Sequence, residues 1–301
     1  MDDSGELRST VRARSGRSRQ EPPHLARRPH IRGELPLPLV GIERGGQMIR
    51  LYNNWPIALG DRLGLIRGRQ LLYSLQDRVG TAALLARANG CDVRTINEIW
   101  LGGLYIKPLG NHVDRASIIV DIGANCGYFA VYAGRHLPGS EIVCFEPERD
   151  NRRLASANIA LNDIDATIRH EAIVPDSRTS VSLHLSNDPR LHTTVEKSNA
   201  TAHGIGTSRY SEKSTHVPAA NINTVLREIL RRGRITLLKI DVEGIDLELV
   251  AAMDDDVLAG VDHLVAETEL RETGDVTDRL TAAGFRVTEE MQLLMASRAG
   301  L

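Results

Sequence analysis

The sequence predicts an α/β protein built on a doubly wound, mostly parallel sheet. Three observations predict it. The run Ile118-Ile119-Val120 leads into Asp121, with glycines at 123 and 127, and reads as a buried strand that turns tightly into a helix. A second apolar run, Glu141-Ile142-Val143-Cys144-Phe145, ends in Glu146-Pro147. Strand-like and helix-like segments then alternate towards the C-terminus, the pattern of parallel strands joined by crossover helices.

The turn between the first strand and its helix needs glycine twice. Gly123 adopts backbone angles that side chains forbid. Gly127 admits a ligand to the start of the helix Tyr128 to Arg135, where free N–H groups favour a carboxylate or phosphate. Glu146, at the tip of the second strand, is placed to accept hydrogen bonds from ribose hydroxyls. Strand, glycine turn, helix, strand and acid make a half-site for a nucleoside cofactor; the competing reading is an ordinary βαβ unit with glycines for packing. A nicotinamide dinucleotide calls for G-x-G-x-x-G, whose close glycines admit a pyrophosphate. Asp121-Ile122-Gly123-Ala124-Asn125-Cys126-Gly127 lacks that first pair. A ligand with an amino-acid tail, such as S-adenosylmethionine, suits it better, with its ribose at Glu146 and its methionine end along the turn.

From the N-terminus, residues 1–38 are rich in Arg, Ser, Gly and Pro without apolar periodicity and read as a disordered basic tail. It is either an inert extension or an electrostatic tether to RNA or anionic lipid. Residues 39–115 read as a helical extension or lid, with helical apolar spacing in Gln70 to Gln76, Thr81 to Ala88 and Val93 to Trp100, the last capped by Asp92. Trp100 and Tyr105 are core residues or an apolar cover for the site. Residues 116–301 form the cofactor domain. A helix is expected from Glu148 to Leu161, a third strand from Thr167 to Val174, and another at Val181 to Leu185. Residues 186–214 read as a long polar loop that contacts substrate. Asn221 caps a helix from Ile222 to Arg232. A strand follows at Ile235 to Ile240, a helix near Gly244, and a strand at Asp262 to Ala266. The helix Asp275 to Ala283 and a hairpin of Phe285 to Thr288 with Gln292 to Ala296 end the chain.

Lys239, Asp241 and Glu243 alternate along one segment, so strand geometry points them to one side. A cation and two anions then meet at a strand's end. Asp241 or Glu243 is expected to take a proton from a hydroxyl or to position it. Lys239 holds the carboxylates or orients the acceptor; the competing reading is a structural ion pair that fixes the turn. His192 and His203 are the next candidates for a base. Asp241, Glu243 and Glu267 have the chemistry to bind magnesium, yet no metal site is assigned.

The stretches Val120 to Phe129, Phe145-Glu146-Pro147 and Leu238-Lys239-Ile240-Asp241-Val242-Glu243-Gly244 resemble the FkbM-like family of S-adenosylmethionine-dependent methyltransferases, with a looser match at Val265-Ala266-Glu267. The resemblance spans about residues 95 to 296. It implies a sheet of the Rossmann-like methyltransferase type with a C-terminal antiparallel hairpin. It also implies S-adenosylmethionine held by Asp121, Gly123, Asn125, Gly127, Tyr128, Glu146 and, against adenine, Ala172. The reaction it implies is methyl transfer to a hydroxyl of a small molecule, either a secondary metabolite such as a macrolide or a sugar or glycan. The competing classes are a nicotinamide-dependent oxidoreductase and a non-catalytic cofactor-binding module.

Charge and composition narrow the partners. The first 34 residues hold eight arginines against five acids while the whole chain has a net charge of −2, so the body is acidic and nucleic acid is not an expected partner. No stretch is apolar enough for a membrane span, and the N-terminus lacks the apolar run of a secretory signal, so a cytoplasmic location is expected. Three cysteines without C-x-x-C spacing suggest neither disulfides nor zinc. Cys126 is expected to be a small buried filler. Abundant Arg and Ala with few Lys suggest a GC-rich bacterial genome.

Overall fold

In the order of the central sheet, β11 (Phe285–Glu290), β12 (Leu293–Arg298), β10 (Val261–Glu267), β9 (Ile235–Ile240), β3 (Ile118–Ile122), β4 (Glu141–Phe145) and β5 (Ala166–Arg169), sequence neighbours part company between β3 and β9. The computed structural model describes residues 47–88, 91–103, 105–106, 109, 117–186, 192–194, 210–268, 271–290 and 292–300. The basic tail lies outside these. β3 pairs in parallel with β4, β4 with β5, β3 with β9, and β9 with β10. β11 and β12 form the expected hairpin, and β12 runs antiparallel to β10. This is the doubly wound, mostly parallel sheet anticipated from the sequence. The parallel strands are near-continuous apolar runs because both faces of the sheet are covered.

One face is covered by the helices Asp92–Gly102, Tyr128–His136 and Arg149–Leu161, the other by Ile222–Leu230, Asp246–Ala251, Asp255–Ala259 and Gly274–Ala282. The helix Ile222–Leu230 shows why these segments are helical. It buries Ile222, Val225, Leu226 and Ile229 in the i, i+3, i+4, i+7 stripe. Asn221 caps it, accepting the Thr224 N–H at 3.1 Å.

The structure corrects several expectations. Gln70 to Gln76 and Thr81 to Ala88 are not helical. They are the strands β1 (Gln70–Asp77) and β2 (Gly80–Arg87) of an antiparallel hairpin. Their buried residues, Tyr73 and Leu75 on one strand and Ala82, Leu84 and Ala86 on the other, recur at every second position, which is the strand period. Asp77 closes the turn by accepting the N–H groups of Val79 and Gly80 at 2.8 and 3.0 Å. Asp92 does not cap its helix. Cys91 takes that position, and the fully buried Asp92 carboxylate pairs with Arg87 and accepts the Tyr128 hydroxyl at 2.9 Å.

Thr167 to Val174 is not one strand. The chain leaves the main sheet after Arg169, and β6 (Ala172–Val174) joins a second sheet of order β6-β8-β7, with β7 Ser180–Ser186 and β8 Tyr210–Asn221. The polar stretch read as a loop to residue 214 therefore ends in a long strand. Most of the rest of that stretch, His203 included, lies outside the described residues.

The hairpin belongs to the body of the fold, since residues 42–301 pack as one unit. Its open edge is covered by a helix. Asn158 accepts the Leu85 N–H at 2.7 Å and donates to the Leu85 carbonyl at 3.0 Å; four residues on, Asn162 does the same for Ala83 at 3.0 and 2.7 Å. Two asparagines one helical turn apart thus imitate a neighbouring strand and satisfy an edge that would otherwise be left open.

Candidate active site

A pocket opens at the carboxyl ends of β3, β4 and β9, where the strand order reverses and open α/β sheets bind ligands. It encloses about 540 Å³ including its mouth, and Gly123, Asn125, Glu146, Ala172, Asp241 and Glu243 are among its walls. Six of the ten residues singled out by sequence thus line one cavity.

The glycine turn is built by close approach. Gly123 has φ +84°, and a Cβ there would lie 1.8 Å from the Asp241 carbonyl oxygen, so no side chain fits. Gly127 has φ +74°, and a Cβ there would touch the Ala155 Cα and Cβ at 3.0 Å. The visible demand on Gly127 is helix packing against Arg149–Leu161 rather than room for a ligand. Between them Asn125 takes φ +49°, a conformation asparagine tolerates better than most residues, and so turns its N–H onto Glu146 Oε2 at 2.8 Å. Oε1 accepts the Glu148 N–H at 2.8 Å. The Asn151 side chain also hydrogen-bonds the carboxylate; of the about four acceptor sites a carboxylate offers, one remains for a ligand. Burial pushes the Glu146 carboxyl up to about 7, against the lowering effect of these N–H groups.

The β9 segment forms the second half of the site. Strand register sets Asp121 beside Lys239 and Ala266 beside Ile240, which carries Glu267 alongside Asp241. The Lys239 ammonium is buried and donates to Asp121 Oδ1 at 2.9 Å and the Gly123 carbonyl at 3.1 Å, and lies 3.3 Å from Asp241 Oδ2. Three acceptors match its three donors, and it also faces the Tyr105 ring at 5.1 Å. Burial opposes its charge, but Asp121 and Asp241 outweigh burial and hold its pKa above the usual lysine value.

Asp241 keeps 23% of its side chain exposed and accepts the Tyr105 hydroxyl at 3.0 Å. Burial alone would raise its pKa; Lys239, then hydrogen bonds from Glu267 and Tyr105, prevail and hold it low. Glu267 moves the other way, raised by burial and then by the charges of Asp241 and Glu243. The two shifts run in opposite directions, favouring charge on Asp241 and the proton on Glu267. One oxygen each from Asp241, Glu243 and Glu267 lies within 4.8 Å of the others. Glu243 has φ +60°, a costly conformation for glutamate of the kind that clusters at functional sites. Its carbonyl accepts the Thr193 hydroxyl, which pins residues 192–194 at the pocket mouth. His192 lines the pocket there, its Nδ1 accepting the Ser186 N–H at 2.9 Å.

Four expected residues sit behind the walls, the buried Lys239 among them. Asp121 is fully buried as the partner of Lys239. The Tyr128 side chain points into the hairpin interface, its hydroxyl on Asp92 and the Leu85 carbonyl at 3.1 Å, which leaves its backbone for a ligand. Gly127 packs on Ala155. Cys126 is buried and its thiol is pushed up by burial, as expected of a filler. Trp100 is core, edge-on to Tyr132 at 5.1 Å. Tyr105, by contrast, reaches Asp241 across 136 positions. Tyr105 and Glu267 join the site beyond those ten residues. Glu267 was legible as an acid ending the strand next to β9; Tyr105 was legible as core or an apolar cover, but the bond from its hydroxyl to Asp241 left no mark in sequence.

Known proteins share this sequence pattern. "Methyltransferase 1" of Beauveria bassiana is 28% identical over 161 residues, half of this chain and 64% of that protein; the chain spans under two thirds of that relative's length. The "31-O-demethyl-FK506 methyltransferase FkbM" of Streptomyces tacrolimicus is 24% identical over 239 residues, 73% of this chain and 92% of that protein. Among solved structures, an O-methyltransferase family protein from Burkholderia thailandensis aligns with a TM-score of 0.38 at 12% identity, over 70% of this chain and 60% of that one. Residues 121–287, more than half of the chain, match the methyltransferase FkbM domain, and the chain belongs to the FkbM methyltransferase family.

Proposed function

We propose that the protein transfers a methyl group from S-adenosylmethionine to a hydroxyl oxygen of a small molecule, either a secondary metabolite such as a macrolide or a sugar or glycan. Membership of a methyltransferase family supports the reaction class. The Streptomyces relative is named for an O-demethyl substrate, which supports oxygen as the acceptor atom.

The residues present fit the cofactor. Glu146 keeps an acceptor site for a ribose hydroxyl. Phe145, Ala172, Ile173 and Leu183 give the pocket apolar wall for a base, and Asn125 shapes the turn beside them. The N–H groups that open the helix Tyr128–His136 would meet the methionine carboxylate. Bound S-adenosylmethionine supplies an electrophilic methyl on sulfur. The protein's tasks are to align the acceptor oxygen with that methyl and to receive the hydroxyl proton.

Asp241 is the observation that carries the reading. It is a carboxylate on the pocket wall, its charge favoured by Lys239 and Tyr105 and the proton favoured on Glu267 beside it. Lys239 fixes the glycine turn and Asp241 together, so cofactor pocket and base keep one spacing. Glu243 orients the hydroxyl from the adjacent turn. The test is methyl transfer from labelled S-adenosylmethionine to a panel of hydroxyl-bearing macrolides and glycosides. Asp241→Asn should lower turnover about 10²–10⁴-fold, the range for a general base, and Glu243→Gln should lower it in the same direction. Near wild-type transfer by both folded variants would move the base elsewhere, with His192 the next residue to change.

A further inference from the structure

Residues 47–72 carry an inverted amphipathic surface. The helix Trp55–Arg62 buries Ala58 and Asp61. At 100° per residue the opposite, solvent side then falls to Pro56, Leu59 and the next residue, Leu63. Trp55, Ile57 and Leu59 are 38–40% exposed, Leu63 62% and Leu65 77%. Ile49 and Leu72, each 52% exposed, extend this surface. Arg62 Nη1 lies 3.2 Å from the Met48 sulfur, which ties the turn of Ile49 to the helix, and Asn54 donates to the Leu72 carbonyl at 2.8 Å. Among the described residues, seven of the nine exposed large apolar side chains fall in this one segment. Single exposed apolar residues are ordinary; a contiguous group marks an interaction surface.

Charge selects the occupant. The segment holds four arginines, at 50, 62, 67 and 69, and one acid, Asp61. That acid is fully buried, where it accepts the Tyr73 hydroxyl at 2.7 Å. Arg50, Arg67 and Arg69 are exposed. The surface is thus apolar, bears a tryptophan, and is edged by cations with no exposed anion of its own. A second copy docking face to face would set arginines against arginines. An anionic bilayer meets both features. Trp, Leu and Ile enter the boundary between headgroups and acyl chains, while arginines extend to lipid phosphates. No described helix is long and apolar enough to cross a membrane, so the contact is with the surface.

We propose that residues 47–72 dock the protein on the headgroup surface of an anionic lipid bilayer. The test is co-sedimentation of the full chain with phosphatidylcholine vesicles, with and without about one-third phosphatidylglycerol. The protein should bind the anionic vesicles at least about tenfold more tightly than the neutral ones, and more weakly at about 0.5 M salt. Leu63→Ser/Leu65→Ser and Arg67→Gln/Arg69→Gln should each weaken binding roughly tenfold with unchanged melting curves, since the altered side chains are solvent-exposed. Three results would overturn the proposal. One is no binding to anionic vesicles. Another is wild-type binding by both double variants, which would assign the contact to the basic tail. The third is a dimer that the leucine variant dissociates without change in vesicle affinity. None of these readouts involves methyl transfer.

Discussion

At the scale of single residues, Glu146 carries a pH signature. Its carboxyl titrates at about 7 in the folded protein, against an ordinary 4.5, because it is buried. Between those values the folded chain binds a proton that the unfolded chain has released. Stability therefore falls as pH rises from about 4.5 to about 7 and is level above that; Glu146→Gln should remove this part of the pH dependence in chemical denaturation. A ribose hydroxyl donates to the ionised form, so cofactor binding should expel the proton. Affinity should then rise about tenfold from pH 6 to pH 8, with proton release visible in calorimetry across buffers of different ionisation enthalpy. Affinity independent of pH would separate Glu146 from the ribose. Glu267 offers a second contrast. Burial and the charge of Asp241 favour its protonated form, so Glu267→Gln, which keeps a donor, should leave turnover within a few-fold. Glu267→Ala should lower it by roughly tenfold or more as Asp241 loses a hydrogen bond to its charge.

At the scale of elements, the N-terminal hairpin and the glycine turn depend on each other. The Arg87 guanidinium bonds the buried Asp92 carboxylate, Asn151 at 2.8 Å and the Cys126 sulfur at 2.9 Å. It thereby joins the hairpin to the turn and to the helix behind Glu146. Arg87→Ala leaves Asp92 buried without its cation, which should cost about 3–5 kcal/mol in urea denaturation. A loss under about 1 kcal/mol would show that the hairpin is only loosely coupled to the sheet. The turn itself should be less forgiving. Gly123→Val forces a side chain into the Asp241 carbonyl and into a φ of +84°, so it should abolish cofactor binding and lower the melting temperature together. A variant that kept both would contradict the close approach of β3 and β9.

At the scale of the whole molecule, what was legible in sequence follows the range of the interaction. The strands β3, β4, β9 and β10 were readable because a parallel strand covered on both faces is a continuous apolar run. Asp121, Glu146 and Asp241 were readable because each ends such a run. The hairpin was misread because Leu71, Leu72 and Leu75 satisfy helical spacing as well as Tyr73 and Leu75 satisfy alternation, and the deciding partners, Asn158 and Asn162, lie more than seventy positions away. The split after Arg169 and the Tyr105–Asp241 contact are likewise long-range. The central claim is that the two halves of the site do separate work, with the glycine turn and Glu146 holding the cofactor and Asp241 serving the acceptor. Calorimetric titration of S-adenosylmethionine into the wild type, Glu146→Ala and Asp241→Asn tests it most directly. The account predicts a loss of affinity of roughly 10- to 150-fold for Glu146→Ala, the worth of hydrogen bonds to a charged group, and nearly wild-type affinity for Asp241→Asn. Unchanged binding by Glu146→Ala, or a loss confined to Asp241→Asn, would contradict it.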